Sequence, residues 1–370
     1  MLRRTAWAVG VVMASAVVPA SPIIASADTV ASASITIAFT GDDLGSPALW
    51  PAARRNAEGH GFDFRPMLAR LRPLIRSADL AICHLETPLS GPGVPPAGSP
   101  RYVAPHQLAA AIRFAGYDGC STASNHTLDA GTRGIGTTLE ALDAQGLSHT
   151  GSARTRHESR TIVRYQVGDA VVAHLAYSFG FNGLRPNRSW MANRIDPDTI
   201  VARAERARRE GADLVIVSLH WGVELRHLVS PDQDRIARRL AASDAIDLIV
   251  GHHAHVVQPI RRAAGRWVAF GAGNSLTGMT AREYVPDVQD GMVVLATFAP
   301  TAGGWQVSTI RFAPTWVQPG PYIVRLVGPA LDKGSLPPAL MTDLRRSWER
   351  TVGTVAAPAI GVKPFRGARL

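Results

Sequence analysis

The sequence predicts an α/β protein built as two strand-and-helix halves around a central hairpin. Three observations predict it: short apolar runs alternate with amphipathic stretches up to residue 146, two apolar runs then stand side by side, and the alternation resumes at residue 199. In order, SITIAFT (34–40) reads as a strand, FRPMLARLRPLI (64–75) as a helix and ADLAICHLE (78–86) as a strand. HQLAAAIRFAG (106–116) is a helix, YDGCSTASNH (117–126) a strand with its end, and TRGIGTTLEALDAQG (132–146) a helix. TIVRYQV (161–167) and AVVAHLAYS (170–178) form the hairpin. TIVARAERARREG (199–211), DLVIVSLHWG (213–222), DRIARRLAAS (234–243) and AIDLIVGHHAH (245–255) then repeat helix and strand. Further strands follow at RWVAFGAGN (266–274), GMVVLATFA (291–299) and GWQVSTIRFA (304–313). Strand–helix–strand order implies parallel pairing, and two such halves suit two packed sheets covered by helices.

With 46% hydrophobic and 18% charged residues, the chain can bury a large core and is neither low-complexity nor coiled coil. The N-terminus, MLRRTAWAVGVVMASAVVPASPIIASA, has Arg3 and Arg4, an apolar stretch and the small-x-small pattern Ala25-Ser26-Ala27. It reads as a signal peptide over residues 1–27, cut before Asp28, which implies an exported, extracellular or cell-surface protein. A retained anchor is the alternative, but the apolar stretch is shorter than the ~20 residues that span a bilayer. The main domain is assigned to residues 28–315. Residues 316–370, rich in Pro and Gly with one short helix at 339–352, are expected to be a peripheral, partly disordered tail.

The net charge of +10 falls to +8 when Arg3 and Arg4 leave with the signal. Many arginines alternate with acids at helical spacing, as in RAERARRE (203–210), and describe solvated helix faces. No basic stripe with interleaved aromatics is present, so nucleic acid is not expected. An anionic polymer or a phosphorylated substrate suits the charge. Cys83 and Cys120 are the only cysteines, which excludes a disulfide scaffold and a cysteine-based zinc site. They are expected as two buried free thiols, with a single disulfide as the alternative in an exported protein.

Polar residues gather at the strand ends, where ligands bind in open α/β sheets. Gly41-Asp42-Asp43, Glu86, Ser124-Asn125-His126, His220-Trp221-Gly222 and Gly251-His252-His253-Ala254-His255 each follow an apolar run. Singly, each has a bland explanation: Asp or Asn after a strand makes turns and caps. Five such endings in step with five strands do not. Asp, Glu, Asn and His without thiolate form an oxygen and nitrogen set suited to Mn, Fe or Zn. Alternation along a strand would point His253 and His255 one way and His252 the other.

These motifs, Gly41-Asp42, His84-Leu85-Glu86-Thr87-Pro88, Ser124-Asn125-His126-Thr127-Leu128-Asp129-Ala130-Gly131, His220-Trp221-Gly222-Val223-Glu224, Gly251-His252-His253-Ala254-His255-Val256 and Gly273-Asn274-Ser275, resemble the CapA family of poly-gamma-glutamate capsule proteins within the calcineurin-like metallophosphoesterases. The resemblance covers about residues 35–280. It implies a four-layer α/β/β/α sandwich and a site for two divalent transition-metal ions. Glu86 would bridge them, Asp42 and His255 would hold one, and Asn125, His220 and His253 the other. It also implies that His126 protonates a leaving group, with Asp129 orienting it. His84, Ser124 and Ala254 depart from the pattern, where Asn, Asn and Pro are usual; none removes an implied ligand, and His84 can add one.

Three functions compete on this reading: an exported two-metal hydrolase of phosphoester-type bonds linked to capsule or cell-surface polymer synthesis, a non-catalytic accessory factor that binds an anionic polymer during synthesis or export, and a metal-dependent amidase that trims the polymer. Membrane-bound capsule-synthesis proteins are the expected partners.

Overall fold

A computed structural model describes residues 7, 8, 10, 33–355 and 361–370. The predicted signal segment lies outside the described residues apart from Trp7, Ala8 and Gly10. The elements belong to one compact unit, Ser32–Leu370. The strands are β1 (Ile35–Asp43), β2 (Leu80–Leu85), β3 (Gly119–Ser121), β4 (Ser148–Thr150), β5 (Val163–Val167), β6 (Ala170–Ser178), β7 (Leu214–His220), β8 (Leu248–His252), β9 (Ile260–Ala263), β10 (Arg266–Ala269), β11 (Asn274–Leu276), β12 (Asp290–Thr301), β13 (Gly304–Gln318), β14 (Ile323–Leu326) and β15 (Lys363–Pro364).

They form two sheets. One runs β14-β13-β12-β1-β2-β3-β4, with β11 beside β1 and β15 beside β13; the other runs β5-β6-β7-β8-β10-β9. β1 to β4 are parallel, as are β6 to β8, whereas β5 and β6 make the expected antiparallel hairpin. Period-two alternation explains the layers. Ile37, Phe39, Ile82, Ile216, Leu248 and Val250 meet in one core between the sheets. Ala38, Ala81 and Cys83 face the other way, against the helix Gln107–Ala115 and the helix Gly131–Asp143. Val215, Val217 and Ile249 face the helix Pro197–Arg209 and the helix Pro231–Ala241. The chain is therefore an α/β/β/α sandwich, with the carboxyl ends of β1, β2, β7 and β8 converging at one edge.

Several expectations are corrected. Residues 64–75 do not form one helix but two single turns, Arg65–Leu68 and Arg72–Ile75. Pro73 lacks the N–H that a continuous helix would use and clashes with the preceding turn, so the second turn starts afresh with Pro at its entry. The strand expected over 266–274 divides into β10 and β11, which join different sheets. The stretch after residue 315 is not loosely attached. β13 runs on to Gln318, β14 extends the sheet, and the helix Pro338–Val355 buries Leu344, Ser347, Thr351 and Val355. Arg350 anchors that helix by donating to both oxygens of buried Asp290, at 2.7 and 2.9 Å.

Cys83 and Cys120 form a disulfide, not two free thiols. They stand opposite each other on β2 and β3, with Cα atoms 4.4 Å apart, a pairing that their separation of 37 residues conceals. Among the described residues no helix is long and apolar enough to cross a membrane.

Candidate metal centre

Close backbone approaches bring the strand ends together. Asp42 N donates to Gly273 O at 2.9 Å, and a Cβ on Gly41 would lie 2.0 Å from that same oxygen, so only glycine fits between β1 and β11. Gly251 is equally constrained, with Phe270 O 1.8 Å from where its Cβ would stand. The loop after β3 is pinned by its hydroxyls. Ser124 Oγ donates to Glu86 O at 2.5 Å and accepts from His126 N at 3.0 Å, while Thr127 Oγ1 accepts from Ser124 N at 2.8 Å. Ser124, a departure from the resembled motif, thereby fixes both Glu86 and the Asn125-His126 pair.

The first sheet delivers Asp42, His84 and Glu86; the second delivers His220 and His252 to His255. His255 Nδ1 lies 3.3 Å from Asp42 Oδ2 and its Nε2 3.6 Å from Glu86 Oε1. Asn274 Oδ1 accepts from His255 Nδ1–H at 3.0 Å, which turns the other ring nitrogen, Nε2, toward Glu86. His220 Nε2 lies 2.8 Å from Asn125 Oδ1 and 3.9 Å from Glu86 Oε1. His253 donates its backbone N–H to Asp42 Oδ2 at 3.1 Å, and its ring packs against His220 at 4.7 Å and against half-exposed Phe179 at 4.6 Å. His126 Nδ1 is 2.7 Å from Asp129 Oδ2, which also accepts from Tyr102 N at 2.7 Å.

Burial and charge pull these groups apart. Burial pushes the Glu86 carboxyl up to about 7 against the opposing pull of His255. Burial also works against ionised Asp42, but His252 and His255 beside it hold it well below the ordinary carboxylate range. Burial lowers His255, yet Glu86 and Asp42 more than reverse this and raise it to about 10. Desolvation drives His84 and His220 well below the ordinary imidazole value and His253 to about 4. Burial likewise disfavours charged His126, but the bond to Asp129 and the field of Glu86 leave it raised.

Both Glu86 oxygens and His253 Nδ1 are buried without a hydrogen-bond partner. An orphaned buried carboxylate is costly unless a cation meets it. Two sets of donor atoms come within metal-binding reach of one another, Asp42 with Glu86 and His255, and Asp42 with His84 and His220. The residues thus fit divalent metal on their own chemistry, a donor set of carboxylate, amide and imidazole suited to Mn, Fe or Zn.

All six residues expected as ligands, Asp42, Glu86, Asn125, His220, His253 and His255, lie at this edge, with His126 and Asp129 beside them. The alternation expected for the three histidines does not occur, because β8 ends at His252. His253 and His255 have positive φ, 92° and 55°, and sit on a tight loop. His252 joins the cluster too: its ring stacks on His84 at 4.0 Å and its Nδ1 is 3.5 Å from Asp42 Oδ1. Sequence reasoning missed Asp43, fully buried with both oxygens unpartnered and pushed by burial to about 8. It also missed Tyr102, whose ring meets His126 edge-on at 5.1 Å, and Phe179. The doubled Asp after Gly41 was the one available signal for Asp43; Tyr102 and Phe179 sit in loops with no pattern of their own.

A two-sheet sandwich with carboxylates and imidazoles at the strand ends defines a metal-centre architecture. The chain belongs to the bacterial capsule synthesis protein PGA_cap family, whose model matches residues 36–279. It is 30% identical over 153 residues to the capsule biosynthesis protein CapA of Bacillus anthracis, covering 40% of this chain and 37% of that protein. It is 29% identical over 159 residues to the PGA biosynthesis protein CapA of Bacillus subtilis, covering 42% and 41%. It is also 29% identical over 171 residues, covering 42% and 44%, to a Mycobacterium tuberculosis protein named a probable polyglutamine synthesis accessory protein. The matches span about two fifths of the length of these relatives. Similar solved structures include the NAD nucleotidase of Haemophilus influenzae (12% identity, TM-score 0.47, 88% of this chain and 64% of that one) and the calcineurin-like phosphoesterase YfkN from Bacillus subtilis (13% identity, TM-score 0.46, 87% and 99%).

Proposed function

We propose that this chain is an exported two-metal hydrolase of phosphoester-type bonds, working in the synthesis of capsule or another anionic cell-surface polymer. The observation that carries the reading is the placement of His126: its Nδ1 lies 2.7 Å from Asp129 Oδ2 beside an orphaned, buried Glu86, so the ring is held and oriented at the edge of the cluster, where a proton donor to a leaving group belongs. A passive binder has no use for one. Asp42 and His255 would hold one ion, Asn125, His220 and His253 a second, with Glu86 shared. When bound, such ions polarise a phosphoryl oxygen and make a coordinated water nucleophilic near neutral pH. His126 donates its Nε2 proton to the departing oxygen, while Asp129 keeps Nδ1–H engaged and the ring oriented. Buried His220 and His253 stay neutral and keep their lone pairs for ligation.

Export rests on the Ala25-Ser26-Ala27 pattern and is supported by the Cys83–Cys120 disulfide, which suits an oxidising compartment. A membrane-bound polymer-synthesis complex is the partner this reading calls for. The accessory-factor reading has one observation in its favour: a relative's name describes an accessory protein. Turnover of a generic phosphodiester separates the two. Metal-loaded protein hydrolyses it and chelator-treated protein does not if the chain is a hydrolase. Absence of turnover in loaded protein that still binds polyglutamate establishes the accessory role instead.

A further inference from the structure

We propose that His84 is a positioning residue of the metal centre, holding His220 in the tautomer that presents its Nε2 lone pair to a metal ion. The proposal rests on the metal reading above. His84 stands where the resembled motif carries Asn, and its side chain is fully buried. Its Nδ1 is 2.5 Å from Ser121 Oγ, and its Nε2 is 2.9 Å from His220 Nδ1. At the far side of His220, Nε2 is 2.8 Å from Asn125 Oδ1. Asn125 Nδ2 donates to Asn182 Oδ1 at 3.2 Å, which keeps the amide oxygen turned toward His220.

This line of groups accepts two proton arrangements with both rings neutral. In the first, Ser121 donates to His84 Nδ1, His84 Nε2–H to His220 Nδ1, and His220 Nε2–H to Asn125 Oδ1. In the second, each proton sits one place back: His220 Nδ1–H donates to His84 Nε2, and His84 Nδ1–H donates to Ser121 Oγ. The His220 Nε2 lone pair is then bare, with Asn125 Oδ1 and Glu86 Oε1 beside it. Three acceptors converge, and a cation satisfies them together. The serine hydroxyl makes the change possible because it donates or accepts with equal ease. The His84 ring cannot swing away, since His252 stacks on it at 4.0 Å and 12°. A group that hydrogen-bonds the far nitrogen of a ligating histidine orients that ring, and losing it typically weakens metal binding by 10–100-fold.

The test is Zn²⁺ titration against a competing chelator, with Co²⁺ absorption spectra of the same proteins. His84→Leu is expected to weaken Zn²⁺ binding about 10–100-fold at unchanged stoichiometry and unchanged Co²⁺ bands. His84→Gln, whose amide oxygen can accept from His220 Nδ1–H, is expected to recover most of the loss. Ser121→Ala, a milder change that spares the fold, is expected to weaken binding about 10-fold. His84→Leu or Ser121→Ala binding as tightly as the parent overturns the proposal while leaving the metal reading intact. Loss of an ion with altered Co²⁺ bands also overturns it, since His84 is then a ligand. A parent that binds no ion at all removes both the metal reading and this one.

Discussion

The first sheet sends both carboxylates to the cluster, Asp42 from within β1 and Glu86 from just past β2, together with His84, whereas the second sends only imidazoles, two of them from left-handed backbone. Asp42 lies within strand pairing on both sides, opposite His84 on β2 and Asn274 on β11. His253 and His255 lie beyond their strand, in a backbone conformation that costs non-glycine residues about 1–2 kcal/mol each. Their loop is held by what it meets: the His253 N–H on Asp42, and Asn274, whose Nδ2 donates to His255 O at 3.2 Å. The oxygen side is thus placed by the sheet, and the nitrogen side is placed by the oxygen side. Strain retained at such a loop is characteristic of sites where geometry serves chemistry.

The largest effect should follow from breaking the oxygen side. Glu86→Ala is expected to lose most of both metal ions, because the shared carboxylate is gone, with elemental analysis of protein produced in the presence of Mn, Fe and Zn as the check. Metal content equal to the parent would contradict the role given to Glu86. On the nitrogen side the expectation divides. His220→Ala should lose metal, whereas His126→Asn should keep it and slow hydrolysis of a generic phosphodiester by roughly 10²–10⁴.

A smaller effect concerns the helix-covered face of the first sheet. Replacing Cys83 and Cys120 together by Ser should destabilise the fold by about 2–4 kcal/mol in chemical unfolding, because a crosslink closing a long loop restrains the unfolded chain. Equal stability of the variant and oxidised parent would show that strand pairing alone holds β2 to β3. The smallest effect sharpens the carboxylate side. The folded value of Asp43 is about 8, above that of an unfolded carboxyl near ~3.9. The unfolded chain therefore releases this proton first, and the folded state is penalised increasingly from about pH 4 up to 8. In metal-free protein Asp43→Asn should be stabilising by about 1–3 kcal/mol at pH 7, since Asn is still a buried polar group, with the gain vanishing below about pH 4. A gain independent of pH would contradict the protonated assignment.

Strand order and the ligand-bearing endings were legible because both follow from local pattern: apolar runs of strand length, and polar clusters at their carboxyl ends. What escaped depends on pairings far apart in the chain. Cys83 meets Cys120 through strand register, and His84 meets His220 across the two sheets, 136 residues away. Strand alternation does not extend to the three histidines, because β8 ends at His252 and the backbone turns at once, a local change that apolar patterning does not signal. The helix expected at 64–75 failed at Pro73, a residue visible in the sequence whose missing N–H outweighs the favourable apolar spacing.

The most direct test of the central claim, that this cluster is a catalytic metal centre with His126 as its acid, is a leaving-group comparison. Metal-loaded parent and His126→Asn would be assayed with phosphodiesters that release either a poor, alkoxide-like group or nitrophenol. The parent should outpace the variant by roughly 10²–10⁴ on the poor leaving group and by far less on nitrophenol, which departs without needing a proton. An equal ratio for both substrates, with metal content unchanged, would contradict the assignment of His126 as the proton donor.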